Sequence, residues 1–550
     1  MRTVFVGVLG LMAAVGTAAA ERPVLQMRLR GNHTETEEQW SRTFAAIREN
    51  PGCCDEVWFS TGTGAPSLDW HRARAKVIGK GFGDLRAIGI VPSLQFQATL
   101  GHGDGLGRPE MFTAKTWTGW TGSQGVEDRF CNCPRHPGFL AYVREVSRIY
   151  AALKPAGLWI DDDLRYNNHR PATDGSRLGC WCATCIAAFN AETGGRWTRE
   201  TLDRAMAGDA ALEARWKAFA IESLCGVARA IGEEFSRVSP ETMLALQQGG
   251  WAEAVEPVRE ILKTLHEVSG RAVGYRPGGG AYHDLDPYDQ VEKSVEAARF
   301  RRLVGDPSSV AVWTPEIESW PRAYGSRSAQ SAIIEGFTAL MYGMNAVSFF
   351  ISNGAKEDPT LYGRTYWKSL EKASPVLRAY ARTVAGCRSV GFTMSGKPQI
   401  GIRRAAIPVL AGLGRSCGEL TEKECALNVN MMTSAEVQRL RDDLDRRAGG
   451  FPAVVCSPFL GLMQVHVDAE NRLAAVALVN TRISAQGPVR VKLHGLTEGV
   501  RSVTWRALGA AAEELPVERL PEGTFASIPE IGAWNAGYID FSSARIGDVK

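Results

Sequence analysis

The sequence predicts an α/β fold: a (β/α)8 TIM barrel, a small α/β segment after it, and a C-terminal antiparallel β domain. Three observations carry this. Between Val24 and about Gly386, eight short apolar runs alternate with amphipathic stretches, the pattern of a parallel sheet wrapped by helices. The amphipathic stretches, such as "EEQWSRTFAAIREN", "FLAYVREVSRIYAAL" and "SAQSAIIEGFTALMYGM", are long enough to cross back along the outside of a barrel. From Met463 onward, "MQVHVDAENRLAAVALVNTR", "GPVRVKLHG" and "AGYIDF" alternate with turn residues, as antiparallel strands do.

The chain begins with Arg2, an apolar run from Val4 to Gly16 and the small residues Ala18-Ala19-Ala20, the three parts of a cleaved secretory signal. Residues 1–20 are therefore set apart from the fold. The apolar run is shorter than the ~20 residues a membrane span needs, so the mature protein is expected to be periplasmic or secreted, without a membrane partner. At 550 residues, 45% hydrophobic and 22% charged, the rest has ordinary globular composition and length for two or three domains. Its 63 basic and 60 acidic side chains nearly cancel, which argues against a nucleic-acid partner.

The barrel is expected over residues 21–388. Its strands are "VLQMRLRG" from Val24, "EVWFSTG" from Glu56, "IVPSLQFQATLGHG" from Ile90, "GLWIDDD" from Gly157, "TMLALQQGG" from Thr242, "RAVGYRPGGG" from Arg271, "SVAVWTPEIE" from Ser309 and "AVSFFISNG" from Ala346. Eight strand–helix units over this length fit a barrel with long loops, since ~250 residues is typical and insertions are common. A doubly wound open sheet is the competing fold; the Gly-rich phosphate fingerprint it usually carries after the first strand is absent, and no organic cofactor is expected. Residues 389–462 form the small α/β segment and 463–550 the C-terminal β-sandwich-like domain. The sequence carries no signal for an oligomeric state.

Functional residues of such barrels stand at the C-terminal ends of the strands. Polar groups collect there: Arg28, Gln95, Gln97, His102, Asp161, Arg165, Gln247, Tyr275, Arg276 and His283, a ring suited to a hydroxyl-rich ligand, with Trp320 placed to stack on a sugar. Trp117, Trp120, Trp159 and Trp313 are further stacking candidates. Three aspartates, Asp161 to Asp163, end the fourth strand; alternation keeps them from all facing the mouth unless the strand has already broken into loop. Glu316 and Glu318 end the seventh strand, across the barrel from the fourth. Facing carboxylates are the machinery of glycoside hydrolysis, one protonating the leaving oxygen and the other acting as nucleophile or base. The expected ligand is an oligosaccharide or glycoside. A barrel that binds carbohydrate without cleaving it is the alternative. A metalloenzyme built on the thiols or on His102, His136, His169 or His283 is a third reading, disfavoured because a four-thiolate site leaves no position for water.

Cys180, Cys182 and Cys185 form C-x-C-x2-C, and Cys133 lies in the adjacent loop, "RFCNCPRHPGFL". Four thiolates make a closed structural zinc site. Disulfides, Cys182 with Cys185 and Cys131 or Cys133 with Cys180, are the competing reading in a secreted chain.

The segments "CNCPRHP" and "CWCATCIAAF", with the acidic strand ends around them, resemble the family 42 glycoside hydrolases, barrel enzymes that cleave β-galactosides. The resemblance implies Cys133, Cys180, Cys182 and Cys185 as zinc ligands and leaves Cys131 extra. It places the acid/base at the end of strand four and the nucleophile at the end of strand seven. The family has Asn-Glu where this chain has aspartates, which makes Asp163 the matching acid/base, with Asp162 as alternative; Glu316 is the first choice of nucleophile and Glu318 the second. The region after the barrel is shorter than the family's trimerisation domain, so the chain reads as a distant relative.

Overall fold

The structure, a computed structural model, describes residues 23–390 and 453–542 apart from short stretches at 106–107, 167, 170–175, 249–253, 281, 285–292, 295–296, 298–299, 302, 306–308, 322, 353–357, 458, 460 and 497; positions 433, 435, 436 and 439 are also described. The expected leader and most of the small α/β segment lie outside the described residues.

The eight apolar runs form one parallel ring: β1 (Leu25–Leu29), β2 (Glu56–Ser60), β3 (Val91–Phe96), β4 (Gly157–Ile160), β5 (Met243–Gln248), β6 (Val273–Pro277), β7 (Val310–Trp313 and Glu316–Glu318) and β8 (Val347–Phe350). β7 is broken. Its first half pairs with β6 and its second half with β8, which pairs in turn with β1 and closes the barrel. Pro315 stands at the break, where a residue without an N–H cannot continue the ladder; its carbonyl accepts the Ser348 hydroxyl at 2.7 Å.

Alternate residues of the strands fill the interior. At mid-height the Trp58 and Trp159 rings stack at 4.1 Å, fully buried, with Ala245, Val312 and Ala346 around them. Gly274 makes room for this layer: a Cβ there would lie 2.9 Å from the Ala245 side chain and 3.0 Å from Trp159. Below, Gln26 donates to the buried Glu56 carboxyl at 2.8 Å. Because Trp159 points inward, Asp161 two residues later does so too, and the polar ring stands directly on the indoles.

The helices include α1 (Glu37–Arg48), α2 (Leu68–Ala87), α3 (Pro137–Ala151), α4 (Ala183–Thr193), α5 (Arg199–Met206), α6 (Ala210–Val238), α7 (Val255–Ser269), α8 (Ala329–Met341) and α9 (Lys368–Thr383). Their starts carry the expected oxygen caps: Thr36 and Gln39 form a capping box on α1, and Ser67 and Asp209 cap α2 and α6. Between β3 and α3 lies a hairpin, Gly119–Thr121 with Glu127–Asn132.

The C-terminal domain is antiparallel and shares one core across two sheets; its strand Glu513–Leu520 pairs with one sheet through Glu513–Pro516 and with the other through Val517–Leu520. The strands Arg388–Val390, Ala453–Val455 and Gly461–Val467 also belong to it, so the domain draws in residues ahead of Met463. It is joined to α9 of the barrel, where the Tyr380 hydroxyl meets His466 Nε2 at 2.8 Å and its ring packs on Tyr538. No helix among the described residues is long and apolar enough to cross a membrane.

Candidate active site

The centre of the barrel mouth is a buried ion cluster around Glu316. Arg276, projecting inward from β6, donates to Glu316 Oε1 at 2.5 Å, and its Nε donates to Gln247 Oε1 at 3.2 Å. Arg28 from β1 brings Nη1 to 3.7 Å of the same carboxylate oxygen and lies over the Phe350 ring. The Tyr282 hydroxyl donates to Oε2 at 2.9 Å, and Lys293 donates to the Glu316 carbonyl. Burial alone pushes the Glu316 carboxyl up; Arg276, Lys293, Arg28 and the Tyr282 bond more than reverse this and bring it to about 2. Glu316 is therefore ionised at any ordinary pH. Behind it, Lys293 meets Glu335 at 3.0 Å, and Arg327 pairs with Glu335 and donates to the Glu318 carbonyl at 2.9 Å.

Across the mouth β4 ends at Ile160, and the three aspartates lie in the turn that follows. The break lets their carboxylates converge, with one oxygen of each within 4.8 Å of the others. Asp161 continues the ladder through its N–H to the Phe96 carbonyl, and its Oδ1 accepts Gln95 Nε2 at 2.6 Å. Burial, then the Asp162 charge, raise its carboxyl to about 6 against the opposing pull of Gln95, Arg28 and Arg276. Asp163 is pushed well above the carboxylate range by burial and by the Asp161 and Asp162 charges. It faces Asn168, whose amide donates to it while Arg165 donates to the Asn168 oxygen at 2.6 and 2.8 Å, so loop side chains close it off. Asp162 is the open member, its side chain 30% exposed and 3.8 Å from Arg165.

Gln247 donates to the Trp159 carbonyl and Gln248 to that of Leu164, tying β5 to the aspartate turn. Gln97 accepts the Ser60 hydroxyl at the ring's edge. His102 stacks on His169 at 4.1 Å and feels the Asp162 charge; burial first, then His169, lower its pKa. Trp320 is 55% exposed on the rim, its N–H bonded to the Tyr282 carbonyl, and His283 is half-buried beside Tyr282. Tyr275 does not join them: with Arg276 facing in, it faces out and packs on Phe300 and Trp313. Trp120, Trp159 and Trp313 are core, and Trp117 is buried with its indole N–H on Asn132. The sequence reading did not single out Tyr282, Lys293, Asn168, Arg327 or Glu335. Tyr282 had a signal, since it adjoins His283 after the Gly-rich end of β6.

The four cysteines converge as well. Cys133 Sγ lies 3.4 Å from Cys182 Sγ and 3.5 Å from Cys185 Sγ, and with Cys180 all four sulfurs fall within 4.8 Å, each buried. These separations are too long for a bonded pair, ~2.05 Å, and near the ~3.8 Å edge of a thiolate tetrahedron with Zn–S of ~2.3 Å. The donor set fits zinc. The cluster joins the loops after β3 and β4, which are also tied by Trp120 Nε1 to the Gly179 carbonyl and by Trp181 N–H to the Thr121 carbonyl.

No protein-family model and no curated protein matches the chain. Among solved structures it is similar to a β-galactosidase from Bacillus circulans sp. alkalophilus, with TM-score 0.58 and 10% identity over 94% of this chain and 98% of that one. It is also similar to a catalytic mutant of a GH42 β-galactosidase from G. stearothermophilus, with TM-score 0.55 and 9% identity over the same shares. The chain has the fold of the GH42 β-galactosidases, barrel and C-terminal sheet domain together.

Proposed function

We propose that the chain is a secreted or periplasmic glycoside hydrolase acting on an oligosaccharide or glycoside by double displacement. One observation carries the reading: opposite walls of the mouth hold carboxyls pushed in opposite directions, Glu316 down to about 2 and Asp161 up to about 6. Such a split is how a site assigns a nucleophile and a proton donor at one pH. Glu316 attacks the anomeric carbon. Burial and neighbouring charges raise the Asp161 and Asp163 carboxyls, so that this wall retains a proton. Asp161 and Asp163 hold that proton, and Asp162, the member open to the ligand, lies between them and the leaving oxygen. The nearby thiol cluster holds a structural zinc that fixes the loops over the mouth.

Binding without cleavage is the second reading, favoured by the engagement of both Glu316 oxygens, by Arg276 and by Tyr282. Hydrolysis of a panel of aryl glycosides decides between them. Turnover by the wild type, abolished in Glu316→Ala and lowered at least a hundredfold in Asp162→Ala or Asp163→Ala, supports the hydrolase; binding with no turnover on any member supports the second reading.

A further inference from the structure

At the end of the barrel opposite the carboxylates, the turn from α1 into β2 reads "NPGCCDE". Cys53 and Cys54 are neighbours in sequence, both buried, with sulfurs 3.8 Å apart. Both are free thiols and neither belongs to the four-cysteine cluster. The hydrogen bond with Cys53, and then burial, push the Cys54 thiol well up, so Cys54 rests protonated. Their cover is thin: Pro51 is exposed, and Gly52 and Asp55 are half-exposed.

The turn is also a junction. The Asp55 carboxylate accepts the N–H groups of Val24 and Leu25 at 3.0 and 2.8 Å, fixing the start of β1. From α9, Arg378 donates to Asp55 Oδ1 and to the Gly52 carbonyl, both at 2.9 Å. The first strand, the second strand and the last barrel helix thus meet on the turn Gly52–Asp55, which includes both thiols.

We propose that Cys53 and Cys54 form a reversible vicinal disulfide, which makes this turn a redox-modified site. The two thiols lose two protons and two electrons as the S–S bond forms. Glutathione disulfide accepts them through a mixed disulfide, leaving as two glutathione thiols. Adjacent Cα atoms sit ~3.8 Å apart, short of the ~4.4–6.8 Å that an ordinary disulfide spans, so the small ring is strained and easily reduced. A loop this short also removes almost no freedom from the unfolded chain. Oxidation therefore deforms the junction without a compensating gain, and the oxidised protein melts at a lower temperature.

The test equilibrates the full-length protein at a series of ratios of reduced to oxidised glutathione, quenches with acid and digests with trypsin. The peptide Glu49–Arg72 contains both cysteines and no other. It is expected lighter by two hydrogen atoms at the oxidising end and restored at the reducing end. A peptide that stays a dithiol throughout, carries glutathione, or is joined to another cysteine peptide overturns the proposal. Melting curves of wild type and of the Cys53→Ser, Cys54→Ser double variant are run in parallel. A several-degree drop on oxidation in the wild type alone is expected; a wild type that forms the bond and melts unchanged removes the coupling to the barrel.

Discussion

Arg276 and Glu316 stand on neighbouring barrel strands and form one buried pair, the guanidinium meeting Oε1 at 2.5 Å while its Nε rests on Gln247. The pair links β5, β6 and β7 at the height where a ligand would enter. Arg276→Met leaves Glu316 buried with Lys293 and the more distant Arg28 as its remaining cations. Breaking a buried pair from one side costs ~3–5 kcal/mol. We expect the low end of that range in urea unfolding, and a carboxylate pKa displaced upward in the acid limb of any pH–rate profile.

Stability should depend on pH through two opposed carboxyls. The Glu316 pKa in the fold, about 2, is depressed, so its contribution is complete above the unfolded value, ~4.3, and is lost as pH falls through about 2. The Asp161 pKa, about 6, is raised, so its contribution is complete below the unfolded value, ~3.9, and is lost as pH rises through about 6. Unfolding curves from pH 3 to 8 check the second directly: Asp161→Asn, which keeps an acceptor for Gln95, should flatten the decline between about pH 4 and 6 and be more stable than the wild type at pH 7.

Metal analysis of purified protein should return one zinc per chain, and prolonged chelation should remove it with a fall in melting temperature. Cys133→Ser should reproduce that fall, because three thiolates bind more weakly than four. A metal-free protein with unchanged melting would rule out the structural zinc.

Trp159→Ala opens a hole beneath the polar ring. Large aromatic truncations in cores cost ~3–5 kcal/mol, and Trp58, stacked at 4.1 Å, loses its partner face. The loss is read in denaturant midpoints. Trp320→Ala on the exposed rim should change the unfolding free energy by no more than about 0.5 kcal/mol.

The strands were legible because each apolar run was short, bounded by turn residues and separated by a helical stretch; even "VAVWTPEIE" carried the break of β7 in its proline. Period-two alternation also held information beyond the list of strand ends. Arg276 and Tyr275 are adjacent and cannot both face the mouth, and the structure turns the tyrosine outward. The convergence of Asp161 to Asp163 depended on the strand ending at Ile160, which sequence gave only as a condition. What lay out of reach came from distant segments. Asn168 reaches Asp163 through the path of a loop, and Lys293 reaches Glu316 and Glu335 from a segment with no motif. Such partners are set by tertiary placement, which leaves no local periodicity to read.

The interrupted seventh strand gives the barrel a seam. On one side of Thr314–Pro315 the ladder belongs to β6 and on the other to β8, and the seam is stitched by the Asn345 and Ala346 N–H groups, which both donate to the Trp313 carbonyl, at 3.0 and 3.1 Å. Glu316 is the first residue beyond that seam. Its place in the barrel is set by the β8 ladder, where it stands in register with Ser348. Glu316 is thus anchored to β8 while Arg276 stands on β6, and their ion pair is a clasp that closes the barrel's seam from the inside.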